Sequence, residues 1–259
     1  MNTEKVADHI INWLKEYAKN AKVNGFVVGV SGGIDSALTS TLCAKTGFPT
    51  LCVELPIHQA KNQVTRAQEH ISLLKNTFEN ISDARVDLTS TFEDFKNVVP
   101  KTESSSKVDL SLANTRARLR MTTLYYYGQI NNYLVAGTGN KIEDFGIGFF
   151  TKYGDGGVDL SPIADLKKSE VYLIGQELGI NNDIILAPPT DGLWGDDKTD
   201  EDQIGATYPE LEWAMEFSDD EKKLSKREIE VLKIFKNLNK KNKHKMTPIP
   251  ICNIPNSLK

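Results

Sequence analysis

Cysteine is scarce in this chain of 259 residues, and its few cysteines form no recognisable pattern. The three residues, Cys43, Cys52 and Cys252, are scattered, and no C-x-x-C pair occurs. The sequence therefore predicts neither a disulfide framework nor a zinc site. Reduced thiols in a cytoplasmic protein are expected instead.

Long apolar runs and an excess of basic charge are also missing. No stretch approaches the roughly 20 apolar residues that a membrane span needs. The first five residues lack the charged and then apolar layout of a signal peptide. Acidic residues outnumber basic ones by 35 to 31, giving a net charge of −4, which argues against a dedicated nucleic-acid-binding protein. The sequence thus predicts a globular cytoplasmic protein with neither a membrane nor a nucleic acid as partner.

Two common phosphate-binding motifs are absent as well. A Walker A loop requires G-x-x-x-x-G-K-S/T, and the chain contains no Gly-Lys pair. The dinucleotide fingerprint G-x-G-x-x-G does not occur either. A nucleotide would therefore have to bind through a different loop.

Such a loop is present in the segment Gly29-Val30-Ser31-Gly32-Gly33-Ile34-Asp35-Ser36. It lies between an apolar run and a helical pattern, which predicts a strand, a tight turn and a helix. Glycines let the backbone approach a ligand, and the N–H groups at a helix N-terminus attract an anion such as a di- or triphosphate. A carboxylate is the wrong charge for a bare phosphate, so Asp35 predicts a bridging Mg²⁺. The alternative is an ordinary glycine turn.

Strand and helix patterns alternate over about the first 130 residues, which predicts βαβ units and a parallel sheet. The predicted strands are 26–30, 50–56, 84–88 and 133–137. The predicted helices are 4–20, 34–45, 60–76, 91–99, 109–130, 167–179 and 226–239. Residues 101–107 are predicted to form a mobile loop, and the acidic loop 191–206 is a candidate lid. Ligands of such sheets bind at the carboxyl ends of the strands, so the glycine turns after Val30 and Ala136 are expected to line one crevice.

Further polar clusters are candidates for chemistry. Glu143 follows the second glycine turn and would complete an oxygen-only Mg²⁺ site with Asp35, although a solvated glutamate explains it equally. The loop 149–159 combines three glycines with Lys152, Asp155 and Asp159, for which a surface connector is the alternative.

The remaining candidates are cationic or isolated residues. Arg116, Arg118 and Arg120 occupy two faces of one helix, where they fit either an anionic substrate or a charged surface. A lysine in a first helical turn is disfavoured by the helix dipole, so Lys167 or Lys168 is a candidate for binding phosphate. Thr190 and the pair His244-Lys245 are further polar candidates. Taken alone, each is better explained by a structural role.

Taken together, these segments resemble the ammonia-dependent NAD⁺ synthetase family of the ATP-pyrophosphatase superfamily. The resemblance covers residues 25–250 and is carried by motifs in a fixed order. They are S-G-G-I-D-S, N-T-R-A-R, G-T-G-N-x-x-E, F-F-T-K-Y-G-D-G-G-x-D, P-I-x-D-L-x-K, P-P-T, Q-I-G-A-T-Y and H-K. It implies the adenine nucleotide alpha hydrolase-like fold, with a doubly wound, mostly parallel sheet flanked by helices.

The resemblance also implies an activity. Nicotinic acid adenine dinucleotide would be adenylated on its carboxylate by Mg·ATP, with release of pyrophosphate, and ammonia would then displace AMP to give NAD⁺ in the last step of its biosynthesis. The implied ATP-binding residues are the loop from Gly29 to Ser36 with Thr138, Lys168 and Thr190. The implied Mg²⁺ ligands are Asp35 and Glu143. The implied dinucleotide contacts are Arg118, Lys152, Asp159, His244 and Lys245. Asp155, near the substrate carboxylate and the ammonia site, and Lys168 are the implied catalytic residues.

The chain departs from the family pattern at two points. Met246 stands after the His-Lys pair, where members often carry arginine, and the spacing from Glu143 to Lys152 is one residue longer than in some members. The length leaves no room for a glutaminase domain, so residues 1–259 are expected to form a single synthetase domain that uses free ammonia. Members are homodimers with sites at the subunit interface, which implies a homodimer here.

Two other functions are compatible with the same phosphate loop. A tRNA-modifying ligase or thiolase would act on RNA, but such enzymes often carry cysteine pairs or an added RNA-binding domain. A non-catalytic adenine-nucleotide-binding protein would have no need of Asp35, Glu143 and Lys168 together. Release of pyrophosphate separates these classes.

Overall fold

The computed structural model describes residues 1–100, 105–190, 199–219 and 223–259. The strands are β1 (Gly25–Gly29), β2 (Thr50–Glu54), β3 (Ile81–Arg85) and β4 (Tyr133–Val135). The helices are α1 (Thr3–Ala21), α2 (Ile34–Lys45), α3 (Lys61–Thr77), α4 (Thr89–Val98), α5 (Ser106–Asn131), α6 (Lys168–Glu177), α7 (Asn182–Ile185), α8 (Asp200–Ile204), α9 (Tyr208–Glu216) and α10 (Lys226–Met246). A π-helix (Ile142–Ile147) and a terminal 3₁₀-helix (Asn256–Leu258) complete the described elements.

The four strands pair in parallel in the order β3-β2-β1-β4. The central strands β1 and β2 are almost wholly apolar because helices cover both of their faces. One face packs against α1, α2, α3 and α6, and the other packs against α4 and α5. This doubly wound arrangement confirms the predicted fold class.

A separate apolar cluster joins the π-helix to α8, α9 and α10. Its fully buried side chains include Ile142, Ile147 and Leu211. Because the π-helix follows β4 and its glycine turn, this C-terminal cluster lies against the carboxyl edge of the sheet, where ligands are expected.

Several boundaries differ from the sequence predictions. β3 covers residues 81–85 rather than 84–88, although Val86 and Leu88 still donate hydrogen bonds to the carbonyls of residues 54 and 56. The last helix continues to Met246, so His244 and Lys245 are helical residues rather than part of a tail. Helix α9 is absent from the sequence predictions, which place the polar segment 188–206 in a loop and assign no element between it and the last helix.

The predicted loops lie partly outside the described residues. Residues 105–107 belong to the N-cap and first turn of α5, and residues 101–104 are not described. Of the candidate lid, residues 191–198 are not described, whereas Thr199 caps the short helix α8. The prediction that this segment is a lid therefore stays a prediction.

The segment between Glu143 and Lys152 begins with the π-helix, whose hydrogen bonds span one residue more than those of an α-helix. Gly148 ends it at a φ of 63°, in the left-handed region that glycine adopts without strain. Within the described ranges, no helix combines the length and apolar character needed to cross a bilayer. The cysteines are free, as predicted.

Candidate active site

A cavity of about 270 Å³ opens at the carboxyl edge of the sheet. Its wall includes the phosphate loop after β1, the end of β2 and the glycine turn after β4. Residues from α3, α5 and α6 close its sides. Thr138 and Thr190, both predicted to bind ATP, also line it.

The phosphate loop is held in shape by its own serines. The Ser31 backbone N–H donates to Ser36 Oγ at 3.1 Å, and the two hydroxyl oxygens lie 3.1 Å apart. Gly33 caps α2 without a side-chain hydrogen bond, so the first N–H groups of α2 point into the cavity region unpaired by a cap. This is the geometry that attracts a phosphate.

Gly32 is required by both conformation and space. Its φ is 81°, and a Cβ built on it would lie 2.5 Å from the Gln63 carbonyl oxygen of α3. Arg66, also on α3, donates from Nε to the Gly32 carbonyl at 3.2 Å. The loop is therefore pressed against α3 rather than free to move.

A buried ammonium group lies at the centre of the site. Lys168 Nζ, on the first turn of α6, donates to Asp35 Oδ2 at 2.5 Å and to Glu143 Oε1 at 3.2 Å. The Lys168 side chain is only 4% exposed, and the carboxylates are 18% and 16% exposed. Burial lowers the pKa of this lysine, but Asp35 and then Glu143 more than offset burial and leave the pKa raised. The group is therefore a permanent cation.

Its neighbour Lys167 has a different environment. Lys167 caps α6 and pairs with Glu216 of α9. Of the two lysines that the sequence left open, the structure thus brings Lys168 to the predicted metal ligands.

Asn140 organises the two carboxylates. Its amide nitrogen donates to Asp35 Oδ1 at 3.1 Å, and its oxygen accepts from the backbone N–H groups of Ile142 and Glu143. The side chain is completely buried. The turn after β4 is thereby fixed to the turn after β1.

Tyr208 approaches Glu143 from the C-terminal cluster. Its hydroxyl donates to Glu143 Oε1 at 2.5 Å and lies 3.5 Å from Asp200 Oδ2. Lys168 Nζ lies 4.8 Å from the centre of the Tyr208 ring. Burial and then the charge of Glu143 raise the pKa of Tyr208, so the hydroxyl keeps its proton and remains a donor.

The donor set fits a magnesium ion shared with phosphates. Two carboxylates face one point at which a cation, the Lys168 ammonium, is already accommodated. Among the described residues no group of three or more metal-ligating side chains occurs. Since Mg²⁺ in nucleotide sites uses one or two carboxylates together with phosphate oxygens, Asp35 and Glu143 suffice only if the nucleotide completes the shell.

Asp155 reaches the cavity from the loop after the π-helix. Its Oδ1 accepts the Thr151 N–H at 2.9 Å, and the carboxylate is accessible from the cavity although protein surrounds it on the other sides. This enclosure raises its pKa to about 6, although the Thr151 hydrogen bond opposes the shift. A carboxyl group of this kind exchanges protons near neutral pH.

Helices α5 and α10 hold that loop. Arg118 donates to the Lys152 carbonyl at 3.3 Å, and Lys152 Nζ donates to the His244 carbonyl at 3.0 Å. Lys245 Nζ donates to the Phe150 carbonyl at 2.6 Å. Four of the predicted dinucleotide contacts, Arg118, Lys152, His244 and Lys245, are thus brought together beside the main cavity, although none of them lines it.

Asp159, the fifth predicted dinucleotide contact, lies apart from these four residues. One of its oxygens accepts from the Val135 N–H at 2.8 Å and the other from the Tyr125 hydroxyl at 3.0 Å. The structure therefore gives this carboxylate a role in joining β4 to α5, while its predicted contact with a substrate stays a prediction.

A smaller second cavity adjoins the first at Gly137, Asp155 and Val158. Asp144, on the π-helix, and Lys245 also line it. Burial, followed by the charges of Glu143, Asp155 and Asp35, raises the pKa of Asp144 to about 7. It was not identified from the sequence, because its position against the cavity depends on the unusual turn of the π-helix.

Other site residues were also missed. Tyr208 ends the Q-I-G-A-T-Y motif, to which the sequence assigns no role, and Asn140 belongs to the glycine turn after β4 without a local signal of its own. Glu54 and Arg66 carried no signal, since each is a single charged residue in an ordinary strand or helix.

Comparison with known proteins gives consistent matches. A family model described as NAD synthase matches residues 6–249. The NH(3)-dependent NAD(+) synthetase of Mesoplasma florum is 40% identical over 214 residues, which cover 82% of this chain and 84% of that relative. The protein of the same name from Syntrophomonas wolfei is 35% identical over 263 residues and covers 100% of both chains.

Among solved structures, an NMN synthetase from Francisella tularensis superposes with a TM-score of 0.84. It is 32% identical in sequence, and the match covers 99% of each chain. The match therefore spans nearly the full length of both chains.

Proposed function

The chain belongs to the NAD synthase family, and on that premise we propose how its residues amidate nicotinic acid adenine dinucleotide with ammonia to give NAD⁺. The reaction is that of a carbon–nitrogen ligase and consumes ATP. The roles given to individual residues below are our proposal.

The phosphate loop binds the triphosphate of ATP. The free N–H groups at the start of α2 and the hydroxyls of Ser31 and Ser36 face the phosphates. Thr138 and Thr190, which both line the cavity, contact the nucleotide. Asp35 and Glu143 hold Mg²⁺, which, when bound, neutralises charge on the phosphates.

Lys168 assists adenylation. The substrate carboxylate attacks the α-phosphorus, forming a C–O–P bond, and the bond to the β-phosphate oxygen breaks, releasing pyrophosphate. Nζ of Lys168 stays charged and is held beside the phosphate loop by Asp35, so it can donate to the α-phosphate oxygens as negative charge shifts there.

Asp155 assists the second step. Ammonia attacks the acyl carbon, the C–N bond forms, the C–O bond breaks, and AMP leaves. The nitrogen must lose a proton in this step, and a carboxyl group with a pKa of about 6 at the cavity wall is a suitable acceptor. Arg118, Lys152 and Lys245 supply positive charge for the dinucleotide, with His244 and Asp159 as further contacts.

One observation carries this proposal. The Lys168 ammonium, 4% exposed, joins two carboxylates that come from separate turns at the carboxyl ends of β1 and β4. Burying three charges is costly unless they are paired. A nucleotide-binding module that only binds would gain nothing from this cluster.

The test is a coupled assay with Mg·ATP, ammonium and the acid dinucleotide, in which NAD⁺, AMP and pyrophosphate are measured together. Equal amounts of the three products support the proposal, and Lys168→Met should abolish them while Lys167→Met does not. Pyrophosphate released only in the presence of RNA would favour a tRNA-modifying enzyme. No turnover by folded protein would favour a binding module.

The similarity to the Francisella tularensis NMN synthetase favours a second candidate substrate. Nicotinic acid mononucleotide carries the same carboxylate and would undergo the same two steps. The assay run with each acid separately decides between the two substrates. A higher kcat/KM for the mononucleotide than for the dinucleotide would identify the mononucleotide as the preferred substrate.

We also propose that the chain forms a homodimer in the cytoplasm and that residues 1–259 fold as one synthetase domain. The free, buried Cys43 and Cys52 suit a reducing compartment. Light scattering on the purified protein gives the mass in solution, and a monomer that retains full activity would contradict the dimer.

A further inference from the structure

We infer that Glu54 recognises the ribose hydroxyls of the nucleotide and thereby selects ribonucleotides over deoxyribonucleotides. The inference rests on the proposed use of ATP at this site. It assigns a role to a buried acidic side chain that the steps above leave unused.

Glu54 is the last residue of β2 and lines the main cavity. It is 5% exposed. Its Oε1 accepts from Arg85 Nε on β3 at 2.9 Å, while no described residue donates a hydrogen bond to Oε2. A carboxylate with an unused oxygen at a cavity wall is ready to accept a donor from a ligand.

The register of the sheet places Glu54 directly beside the phosphate loop. Gly29 pairs with Val53, and the Val30 N–H donates to the Val53 carbonyl at 2.9 Å. Glu54 is the residue after Val53 on β2, level with the point where the phosphate loop begins on β1. It therefore lies one strand spacing, about 4.8 Å, from the start of that loop.

That position favours the ribose over the base. In a nucleoside triphosphate the ribose is bonded to the α-phosphate, whereas the base lies one ring further away. An acceptor one strand away from the phosphates therefore meets the ribose hydroxyls first. In doubly wound sheets with this order of the first four strands, an acidic residue after the glycine loop commonly binds a ribose hydroxyl.

Charge explains how a carboxylate can stand so close to phosphates. Arg85 is the register partner of Glu54 and neutralises it from the side away from β1. The pair thus presents a hydrogen-bond acceptor without adding net negative charge near the triphosphate. A hydroxyl group is a neutral donor and suits such a site, whereas another anion does not.

The experiment compares ATP, 2′-deoxy-ATP and 3′-deoxy-ATP in the coupled assay with wild type, Glu54→Gln and Glu54→Ala. For the wild type we expect kcat/KM to fall about ten-fold or more when the bound hydroxyl is removed, since hydrogen bonds to charged groups contribute that much. In Glu54→Ala the loss should appear with ATP itself, mainly in KM, and the difference between ATP and the deoxynucleotides should disappear. Glu54→Gln should be intermediate, because an amide oxygen is a weaker acceptor than a carboxylate.

Glu69→Gln is the matched control, because Glu69 is an exposed carboxylate on neighbouring α3 and should leave every ratio unchanged. Calorimetry with α,β-methylene-ATP and its 2′-deoxy and 3′-deoxy forms measures the same preference without turnover. The inference is overturned if wild type treats all three nucleotides alike, or if Glu54→Ala changes the ratio of ATP to ITP instead, which would mean that the carboxylate contacts the base. Failure of wild type to form NAD⁺ while calorimetry still shows the ribose preference would refute the proposed reaction but not this assignment.

Discussion

At the scale of single residues, the site is organised by neutral hydrogen-bonding groups as much as by charges. The Glu143 backbone N–H donates to the Asn140 side-chain oxygen, and the Glu143 carboxylate accepts from the Tyr208 hydroxyl. These two hydrogen bonds set the direction in which the carboxylate points before any ligand arrives. Such supporting hydrogen bonds usually affect metal affinity strongly.

Tyr208→Phe tests that support. Removal of the hydroxyl frees Glu143 to rotate, so we expect the Mg²⁺ concentration at half-maximal activity to rise by about 10- to 100-fold, with kcat largely recovered at saturating Mg²⁺. Binding of Mn²⁺ in the presence of α,β-methylene-ATP, followed by electron paramagnetic resonance, measures the same change without turnover.

Tyr126→Phe serves as its control, because that ring is 62% exposed. If Tyr208→Phe lowers kcat at every Mg²⁺ concentration and leaves Mn²⁺ binding unchanged, Tyr208 does not act through the metal ligand.

The sequence identified residues whose neighbours in the chain are also their neighbours in space. The loop from Gly29 to Ser36 is contiguous, so its motif contains the whole phosphate loop. Asn140 meets Asp35 across 105 positions, and Tyr208 meets Glu143 across 65. The first contact exists only after β4 pairs with β1, and the second only after the C-terminal cluster packs on the sheet, so no local pattern could assign them.

At the scale of elements, α2 and α3 enclose a histidine that titrates unusually. His70 is 2% exposed, and its Nε2 lies 2.9 Å from Ser40 Oγ. The Ser40 hydroxyl donates to the Ser36 carbonyl, so Nε2 must carry the proton and Nδ1 is left without a partner. Burial lowers the pKa of His70 to about 4.

This burial predicts a pH-dependent stability. Between about pH 6.5 and pH 4 the unfolded chain binds a proton that the folded chain does not, so stability falls as the pH falls through this range. The full effect is about 3 kcal/mol in the free energy of unfolding, and it should be missing in His70→Leu.

Urea unfolding at several pH values measures it for wild type and variant. His9→Leu, which changes an exposed histidine of α1, should keep the wild-type slope. Equal slopes in wild type and His70→Leu would contradict the assignment.

Elements were predicted well where an apolar period was clear and poorly where tertiary contacts decide. β1, β2 and α2 are apolar enough to be recognised locally. The end of α10 is rich in lysine and asparagine, and its helical form is supported by Asn239 and Asn242, which bond to carbonyls of the π-helix. The sequence therefore predicts that this helix ends at residue 239, whereas in the structure it ends at residue 246.

At the scale of the whole molecule, the C-terminal cluster acts as a support for the site loop. Asn239 donates to the Gly146 carbonyl at 2.7 Å and Asn242 to the Ile147 carbonyl at 2.8 Å. Further along α10, Lys245 holds the Phe150 carbonyl. The loop residues that we propose to bind substrate thus depend on residues of α10 that lie more than 90 positions away in the chain from their hydrogen-bond partners.

The double variant Asn239→Ala/Asn242→Ala should weaken this support. Two hydrogen bonds contribute together about 2 kcal/mol, so amide exchange in residues 142–148 should become faster and KM for the acid dinucleotide should rise. Hydrogen–deuterium exchange and steady-state kinetics give the two readouts.

Asn237→Ala, on an exposed position of the same helix, should change neither. Faster exchange in α10 alone, with residues 142–148 unaffected, would show that the two asparagines do not support the π-helix.

The π-helix has a consequence for comparing sequences and for engineering. A helix that takes up one additional residue within a single turn lets a gene gain or lose a codon there without shifting the strands before it or the loop after it. Where relatives differ in length between Glu143 and Lys152, we therefore expect the alignment gap to fall within this helix, which decides the counterparts of Asp144 and of the residues that follow it. Loop grafts between relatives should therefore exchange residues 140–148 as one block.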